Sequence, residues 1–278
     1  MAELDAQQLL ATSLVEVWDV GCGGHRREPD EPETVARTQL VFPYRGVFVR
    51  HLGSRDAVAD AGQVLFFNAG EEYRISHPVR GGDACLSLSL HEPLLRELAP
   101  PAIRSNGAVL RFSRQRVGID PRTQVMVALL RHSQRRGTIE PLEAESLALT
   151  LVTRALRPQP RTLPGGSAGR QQLVNRIKLL LAGDLSRRWT LSDIASAMRG
   201  SPVYLTQVFQ QVEGVPLYRY QLRLRLARAL DLLDECEDLT ALSLDLGFSS
   251  HSHFSAAFRD VYGRSPSEFR RQRGPRDR

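Results

Sequence analysis

Two stretches in the C-terminal third of the chain carry polar side chains at helical spacing. In SPVYLTQVFQQVEG, residues 201–214, the outward positions hold Val203, Thr206, Gln207 and Gln210. In SHSHFSAAFRDVYG, residues 250–263, the side chains on or near the outward face are Ser250, His251, Ser252, Ser255, Ala256 and Arg259. Small and polar groups on one helix face can contact base edges in the major groove of DNA, which is wide enough for one α-helix.

The opposite face of each stretch is apolar, as packing on a domain requires. In the first stretch Leu205, Val208 and Phe209 fall at positions i, i+3 and i+4. The second stretch repeats this inward triplet as Phe254, Ala257 and Phe258. Each stretch therefore predicts a helix that buries its apolar face in the domain and exposes its polar face to solvent.

The two stretches belong to an internal repeat. Gly214 and Gly263 end the two copies and lie 49 residues apart, whereas Ala195 and Ser243, before the turns, lie 48 apart. The second turn therefore holds one extra residue. Each copy consists of a short helix, a tight turn and a second helix, and a long helix over 216–235 joins the copies. This order predicts two helix-turn-helix units in tandem.

Capping residues place the helix ends in the first copy. Thr190 is suited to the N-cap of the short helix, and Ser201 followed by Pro202 is suited to the start of the second helix. Gly214 is suited to its end, because glycine readily adopts the left-handed conformation that closes a helix. An amphipathic helix, RQQLVNRIKLLLAGDL, precedes the repeat.

The segment LGFSSHSHFSAAFRDVYGRSPSEF, residues 246–269, strongly resembles the signature of the AraC/XylS family of transcription regulators. The first copy, LSDIASAMRGSPVYLTQVFQQVEGVPLYRY, fits that family less closely. The resemblance covers about residues 171–273 and implies a seven-helix domain whose two recognition helices read successive major-groove segments. It implies base contacts from Val203, Thr206 and Gln207 in the first unit, and from His251, Ser252, Ser255 and Ala256 in the second.

Two positions depart from the family pattern. The turn position that usually holds glycine is Arg199, and the nearest glycine is Gly200. We therefore expect a slightly reshaped first turn. At Ala256 some members carry a long polar or basic side chain, whereas alanine offers only an apolar contact. Reading by the second helix is therefore expected to be weak or to depend on DNA shape.

Positive charge is concentrated in the same region. The chain carries a formal net charge of +6, and residues 170–278 hold 17 basic and 12 acidic side chains, a net of +5. A basic excess in one segment suits contact with a phosphate backbone. The tail RRQRGPRDR is a possible phosphate-contacting arm, although a solvated end is its simpler interpretation.

The stretch RPQPRTLPGGSAGR predicts a linker at 157–170, between a first domain at 1–156 and a DNA-binding domain at 171–273. Residues 35–90 read as short strands, and PRTQVMVALLRHSQRR and EPLEAESLALTLVTRAL read as helices that begin near a proline. The apolar faces of these two helices could pack on the sheet or on a second copy of the chain. The fold class expected is α+β, with a strand-rich domain and its helices followed by an all-α domain.

The first half resembles the cupin-like sensor domain of the same family, which implies a small β-barrel and dimerisation helices. A pocket in such a barrel would have aromatic surface and a few polar groups. We predict that its mouth is lined by Tyr44, Arg45, Tyr73, Arg74 and His77. The two arginines would favour an anionic or carbonyl-bearing ligand.

The same half contains cysteines and histidines that could take part in metal or redox chemistry. Cys22 and His25 have ligand-like spacing, and His77 with Cys85 could complete four zinc ligands, but the paired histidines of metal-binding cupins are missing. Cys85 could sense oxidants if its thiolate were stabilised. The simpler interpretation is that these cysteines and histidines are buried side chains in a sheet. No metal or other cofactor is therefore expected.

The sequence therefore predicts a DNA-binding transcription regulator with a small-molecule effector, and not an enzyme. Its expected partners are double-stranded promoter DNA, RNA polymerase and a second copy of the chain. Two alternatives remain: an N-terminal half that only dimerises, or a metal-dependent cupin enzyme fused to a DNA-binding module. Three cysteines, an acidic N-terminus and no long apolar run favour a cytoplasmic protein without a membrane span.

Overall fold

Residues 4–105, 110–157 and 167–271 are described by the computed structural model of the chain. The chain forms two compact units, residues 1–162 and 163–278. Most of the predicted linker and the tail from residue 272 lie outside the described residues. No helix in the described part is long and apolar enough to cross a bilayer.

The described part of the first unit contains nine strands in two antiparallel sheets. They are β1 (Leu4–Ala11), β2 (Val15–Cys22), β3 (Gln39–Arg45), β4 (Phe48–Leu52), β5 (Arg55–Ala59), β6 (Gln63–Phe67), β7 (Arg74–Ser76), β8 (Asp83–Leu90) and β9 (Arg116–Gly118). The larger sheet has the order β1-β2-β8-β3-β6-β9 and the smaller β5-β4-β7. Strands β3 to β8 lie in the region predicted from sequence, and β1 and β2 precede it. Neither ladder of described strands closes into a ring.

Three α-helices lie in the described part of the same unit: α1 (Glu92–Leu98), α2 (Pro121–Arg136) and α3 (Pro141–Leu156). The last two match the helices predicted from sequence. The Asp120 carboxylate caps α2 by accepting from the Thr123 backbone N–H at 2.8 Å, and Gly137 ends the helix with a left-handed conformation. Both α2 and α3 thus begin at a proline, whose missing N–H costs nothing at that position.

The inner faces of α2 and α3 pack on the larger sheet. Leu130, Leu151 and Val152 are fully buried in one cluster with sheet residues such as Phe42 and Leu88. Burying a side chain of this size contributes roughly 1.5–3 kcal/mol. Of the two sequence-based possibilities for these apolar faces, the structure shows packing on the sheet.

The second unit is helical throughout its described part. Its helices are α4 (Ala168–Gly183), α5 (Leu191–Met198), α6 (Pro202–Glu213), α7 (Leu217–Leu232), α8 (Leu239–Asp245), α9 (His251–Tyr262) and α10 (Pro266–Arg271). Helices α5 and α6 form the first predicted repeat copy, α8 and α9 the second, and α7 joins them. The expected order of a strand-rich domain followed by a helical one is confirmed.

The predicted caps of the first copy are mostly as expected. The Thr190 hydroxyl accepts from the Asp193 backbone N–H, and the Asp193 carboxylate accepts from the Thr190 backbone N–H at 2.9 Å, which makes a complete capping box. Ser201 stands at the N-cap of α6 without a hydroxyl bond to the helix. Gly214 and Gly263 end α6 and α9 in the left-handed conformation.

Arg199, the departure noted in the first turn, ends α5 with φ of +54°. It is the one residue other than glycine with positive φ in the described ranges. Position 247, 48 residues later in the second turn, holds glycine at φ of +78°. The two turns therefore share a left-handed backbone, and the first adopts it with a side chain that disfavours it.

Replacing Arg199 by glycine is therefore expected to stabilise the second unit. The left-handed conformation costs a residue with a β-carbon roughly 1–2 kcal/mol. Because glycine also has more freedom when unfolded, we expect a net gain of about 1 kcal/mol in the free energy of unfolding. Urea denaturation measures the gain, and Arg199→Ala is the control, since it removes the charge but keeps the β-carbon. An equal gain in both variants would assign the effect to charge.

Candidate functional site

The second helix of the first repeat copy, α6, has one buried and one exposed face. Leu205, Val208 and Phe209 are at most 2% exposed, as the inward triplet predicted. The outward set is solvent-facing: Gln207 and Gln210 are exposed, Val203 is 65% exposed, and Thr206 is half-buried. An exposed valine at the start of a helix is an apolar group available for contact.

The hydroxyl of Thr206 is engaged within its own helix. It donates to the Pro202 backbone carbonyl, one turn earlier. The methyl group of Thr206 is therefore the part of the side chain that remains for an external contact. The outward face of α6 therefore presents methyl groups and side-chain amides. The methyl groups belong to Val203 and Thr206, and the amides to Gln207 and Gln210.

The second helix of the other copy, α9, repeats the arrangement. Phe254 and Phe258 are fully buried, and Ala257 is half-buried. On the outward side the exposed members of the predicted set are Ser250, Ser252, Ala256 and Arg259, and the half-buried ones are His251 and Ser255.

Two serines of this outward set already have partners. The Ser250 hydroxyl accepts from the His253 backbone N–H at 3.2 Å and so caps α9. The Ser255 hydroxyl lies 3.4 Å from Nε2 of His251, one helical turn earlier. Ser250 therefore positions the helix, whereas His251 and Ser255 form a polar pair on its exposed side.

An arginine of the joining helix holds the two copies together. The Arg225 guanidinium donates to the backbone carbonyls of Leu185 at 2.8 Å, Arg187 at 2.8 Å and Gly247 at 3.0 Å. Burial lowers the pKa of Arg225 below its ordinary value. The guanidinium thus links the loop before α5 to the turn between α8 and α9, so that α7 positions both of these segments.

A second candidate site is a cavity of about 540 Å³ within the first unit. That volume lies in the range of small-molecule sites. Both sheets and the segment between β2 and β3 contribute to its lining, which includes Trp18, Val41, Phe48, Phe67, Tyr73, Asp30, Glu33, His77 and Asp83. Of the five ligand-site residues predicted from sequence, Tyr73 and His77 lie here.

The other three predicted ligand-site residues lie elsewhere. Tyr44 is buried in the cluster under α2 and α3, where its hydroxyl donates to Asp19 at 2.6 Å and the Arg131 guanidinium lies 3.9 Å over its ring. Arg45 lies close to Gly21 at the end of β2, and Arg74 is exposed on β7. The structure therefore does not bring the two arginines to the cavity.

A buried imidazole forms the polar centre of the cavity. Nδ1 of His77 lies 2.6 Å from Oδ2 of Asp83, and its Nε2 lies 4.0 Å from Oδ2 of Asp30. Burial alone lowers the pKa of His77, but the hydrogen bond to Asp83 and the nearby carboxylates outweigh it and raise that pKa. The carboxylates thus favour protonation of His77 more than solvent alone would, while burial also raises the pKa of Asp83 above its ordinary value.

The sequence analysis missed the acidic residues of this cavity. Asp30 and Glu33 come from the run EPDEPE at 28–33, which follows β2. A cluster of acids between two strands was the available signal. Cys22 and Cys85 also line the cavity, and burial raises the pKa of each thiol. Reactive thiolates are therefore disfavoured, and within the described part of the chain no group of three histidine, cysteine or acidic side chains has an arrangement that could hold a metal ion.

The helical repeat is the part of the chain that is similar in sequence to known proteins. Residues 194–272 match a family model described as a helix-turn-helix domain. The Msm operon regulatory protein of Streptococcus mutans is 30% identical over 100 residues, 36% of each chain. The transcriptional activator RhaR of Klebsiella pneumoniae is 28% identical over 156 residues, 56% of each chain. The chain thus matches about a third to a half of the length of these relatives.

A crystallised transcriptional regulator with an AraC-type DNA-binding domain, from Chromobacterium violaceum, is 32% identical over 40% of this chain and 99% of its own. Its TM-score of 0.36 is too low to support a conclusion about the fold. The matched family model spans α5 to α10, the same segment in which the internal repeat and the signature residues lie. This helix-turn-helix segment is therefore similar in sequence to those of known transcription regulators, among them proteins with an AraC-type DNA-binding domain.

Proposed function

We propose that the protein is a sequence-specific DNA-binding transcription regulator and that a small molecule bound in the N-terminal cavity controls it. The observation that carries the first part is the repeated helix with a buried apolar face and an exposed polar face, in α6 and again in α9. Two such helices on one rigid scaffold can enter successive turns of the major groove. The cavity supports the second part, because a regulator needs a ligand that distinguishes its functional states.

Several finer assignments belong to this proposal. The two sheets of the first unit serve as a cupin-like sensor domain over 1–156, and residues 171–273 serve as the seven-helix DNA-binding domain, with a linker at 157–170. The active form is a homodimer that contacts RNA polymerase in the cytoplasm. Leu142, which is 74% exposed at the start of α3, supports a contact between two copies. Dimerisation without an effector is the competing function of the first unit.

The two recognition helices are proposed to contribute differently. The Gln207 amide can form a bidentate pair with adenine, and the methyl groups of Val203 and Thr206 can pack on a thymine methyl. Ala256 offers no polar group, so α9 positions the domain, with Arg259 on a phosphate. The remaining outward residues, Gln210, Ser250, His251, Ser252 and Ser255, line the same two faces.

Single substitutions should separate these roles. Gln207→Ala is expected to relax specificity at one base pair by about 1–3 kcal/mol. Arg259→Ala should weaken binding to all sequences about equally and reduce the slope of log affinity against log salt by about 0.9. Selection of the full-length protein on random DNA, followed by anisotropy titrations at several salt concentrations, measures both.

Matched controls come from the exposed side of α4. Gln172→Ala and Arg176→Ala remove the same chemical groups outside the proposed DNA face, and both should leave sequence preference unchanged. If Arg259→Ala changed the preferred sequence while Gln207→Ala only lowered affinity, the assignment of roles would be wrong. If the full-length protein selected no sequence and its affinity for DNA did not depend on salt, the proposed function itself would be contradicted.

A further inference from the structure

The charges around the N-terminal cavity indicate the chemical class of its ligand. Three carboxylates line it, those of Asp30, Glu33 and Asp83, against one guanidinium, that of Arg26, and one imidazole, that of His77. With His77 protonated the lining carries a net charge of −1, and with His77 neutral −2. The arginines on which the expectation of an anionic ligand depended lie elsewhere. An anion entering this cavity would face an excess of negative charge.

One of the three carboxylates stands apart from the others. Arg26 contacts Asp30 at 2.6 Å, and His77 contacts Asp83 at 2.6 Å, so each of these acids has a cation beside it. The Glu33 carboxylate accepts a hydrogen bond from the Tyr73 hydroxyl at 3.2 Å, and no cation in the described ranges lies within 4.0 Å of it. Glu33 is therefore the lining acid whose direct partner is neutral, and the His77 imidazole acts on it only from beyond contact distance.

The rest of the lining is apolar and aromatic. Trp18, Val41 and Phe48 contribute side chains from both sheets, so a ligand can place an apolar body between them. Phe67 also faces the cavity, but the Arg50 guanidinium already lies 4.1 Å over its ring. A second cation over that ring would be repelled. The charged end of a ligand is thus directed to Glu33 and its apolar end to the walls formed by Trp18 and Phe48.

We propose that this cavity binds a small organic cation, an amine with an apolar or aromatic body, whose ammonium group pairs with Glu33. The inference deepens the effector role proposed above and depends on it. Glu33 is an exposed residue whose carboxylate reaches the buried Tyr73 hydroxyl, so the ammonium group would meet it at the rim of the cavity. A charge-assisted hydrogen bond of this kind is about twice as strong as a neutral one. The cavity volume leaves room for a body of one or two fused rings.

Three probes of one shape test the charge preference: tryptamine, tryptophol and indole-3-acetate, which are cationic, neutral and anionic at pH 7. Isothermal titration calorimetry of the full-length protein should give a Kd for tryptamine at least ten-fold below that for tryptophol, with indole-3-acetate weakest. Tighter binding of indole-3-acetate, equal binding of all three, or no binding of any at millimolar concentration would overturn the proposal.

Variants locate the site. Glu33→Gln keeps an acceptor for the Tyr73 hydroxyl and should abolish the preference for tryptamine over tryptophol. Glu31→Gln makes the same charge change at an exposed residue outside the lining and should preserve the preference. Ala6→Trp places a large side chain in the cavity lining, at the exposed edge strand β1, and should weaken the binding of all three probes. A preference that survives Glu33→Gln, or binding unaffected by Ala6→Trp, would contradict the assignment.

DNA binding of the same variants keeps the two proposals distinct. If the protein binds DNA in a salt-dependent and sequence-selective way but shows no amine preference, or a reversed one, only the proposed class of ligand is wrong. If the protein prefers tryptamine but tryptamine does not change its affinity for DNA, the amine site is supported and its regulatory role is contradicted. Loss of sequence-selective DNA binding in the unmodified protein would instead remove the proposed function.

Discussion

Substituting Gly247 by alanine is expected to lower the free energy of unfolding of the helical unit by about 3–5 kcal/mol. The residue adopts φ of +78°, which alone costs a residue with a β-carbon roughly 1–2 kcal/mol. An added methyl group would also overlap the Ser186 carbonyl oxygen and approach Nη2 of Arg225 to 2.6 Å. The remaining cost comes from displacing these atoms, and with them the Arg225 bonds that join the second turn to the loop before α5.

A second glycine separates backbone strain from overlap. Gly263 has the same φ of +78°, and a β-carbon there would meet nothing within 4 Å. Gly263→Ala should therefore cost only the roughly 1–2 kcal/mol of the conformation. Urea denaturation followed by circular dichroism at 222 nm measures both variants. Equal losses in the two would show that the contacts with Ser186 and Arg225 contribute nothing.

The same position explains why the two turns differ. In the second turn Arg225 and the Ser186 carbonyl occupy the space beside residue 247, so only glycine fits. At Arg199 the first turn adopts the left-handed conformation with a full side chain, so the fold accommodates this backbone strain in the first turn. The 48-residue offset between the repeat copies aligns Arg199 with Gly247, although only Arg199 was singled out from the sequence.

Helices were predicted more closely than strands for a physical reason. The ends of α2 and α6 follow from single residues, a proline at the start and a glycine after the end, and the apolar spacing defines the buried face. Strand β1 has no such markers, since its sequence LDAQQLLA alternates weakly and most of it is exposed. In β2 the buried Val15 and Val17 do alternate with less buried residues, and that pattern was available.

The cavity could not be predicted residue by residue. Successive side chains of a strand face opposite ways, so Val41 lines the cavity while Phe42 and Tyr44 pack under the helices. A register shift between Pro43 and Arg45 then disturbs this alternation at the end of β3. The sequence identified Tyr73 and His77, but which acids from 28–33 would reach the same space depended on how the two sheets face each other.

The second large effect is expected at Lys178, the one lysine of the chain, on α4. Its side chain is fully buried, and Nζ lies 3.4 Å from Oε1 of Glu213, whose side chain is 10% exposed. Glu213 is the last residue of α6, where the partial negative charge of the helix end disfavours a carboxylate. Lys178 therefore compensates the charge of the Glu213 carboxylate at the end of α6.

Lys178→Met keeps an unbranched side chain but leaves the Glu213 carboxylate without its cation, so a loss of about 3–5 kcal/mol in the free energy of unfolding is expected. Adding Glu213→Gln should recover most of that loss, because the uncompensated charge is then gone. Arg176→Met, at an exposed position of the same helix, should change stability by less than about 0.5 kcal/mol. Urea denaturation of the three variants measures these differences.

Since Glu213 ends α6, the single variant should also weaken DNA binding in anisotropy titrations more than the double variant does. A double variant as unstable as Lys178→Met would show that lost packing around Lys178, and not the charge of Glu213, sets the cost.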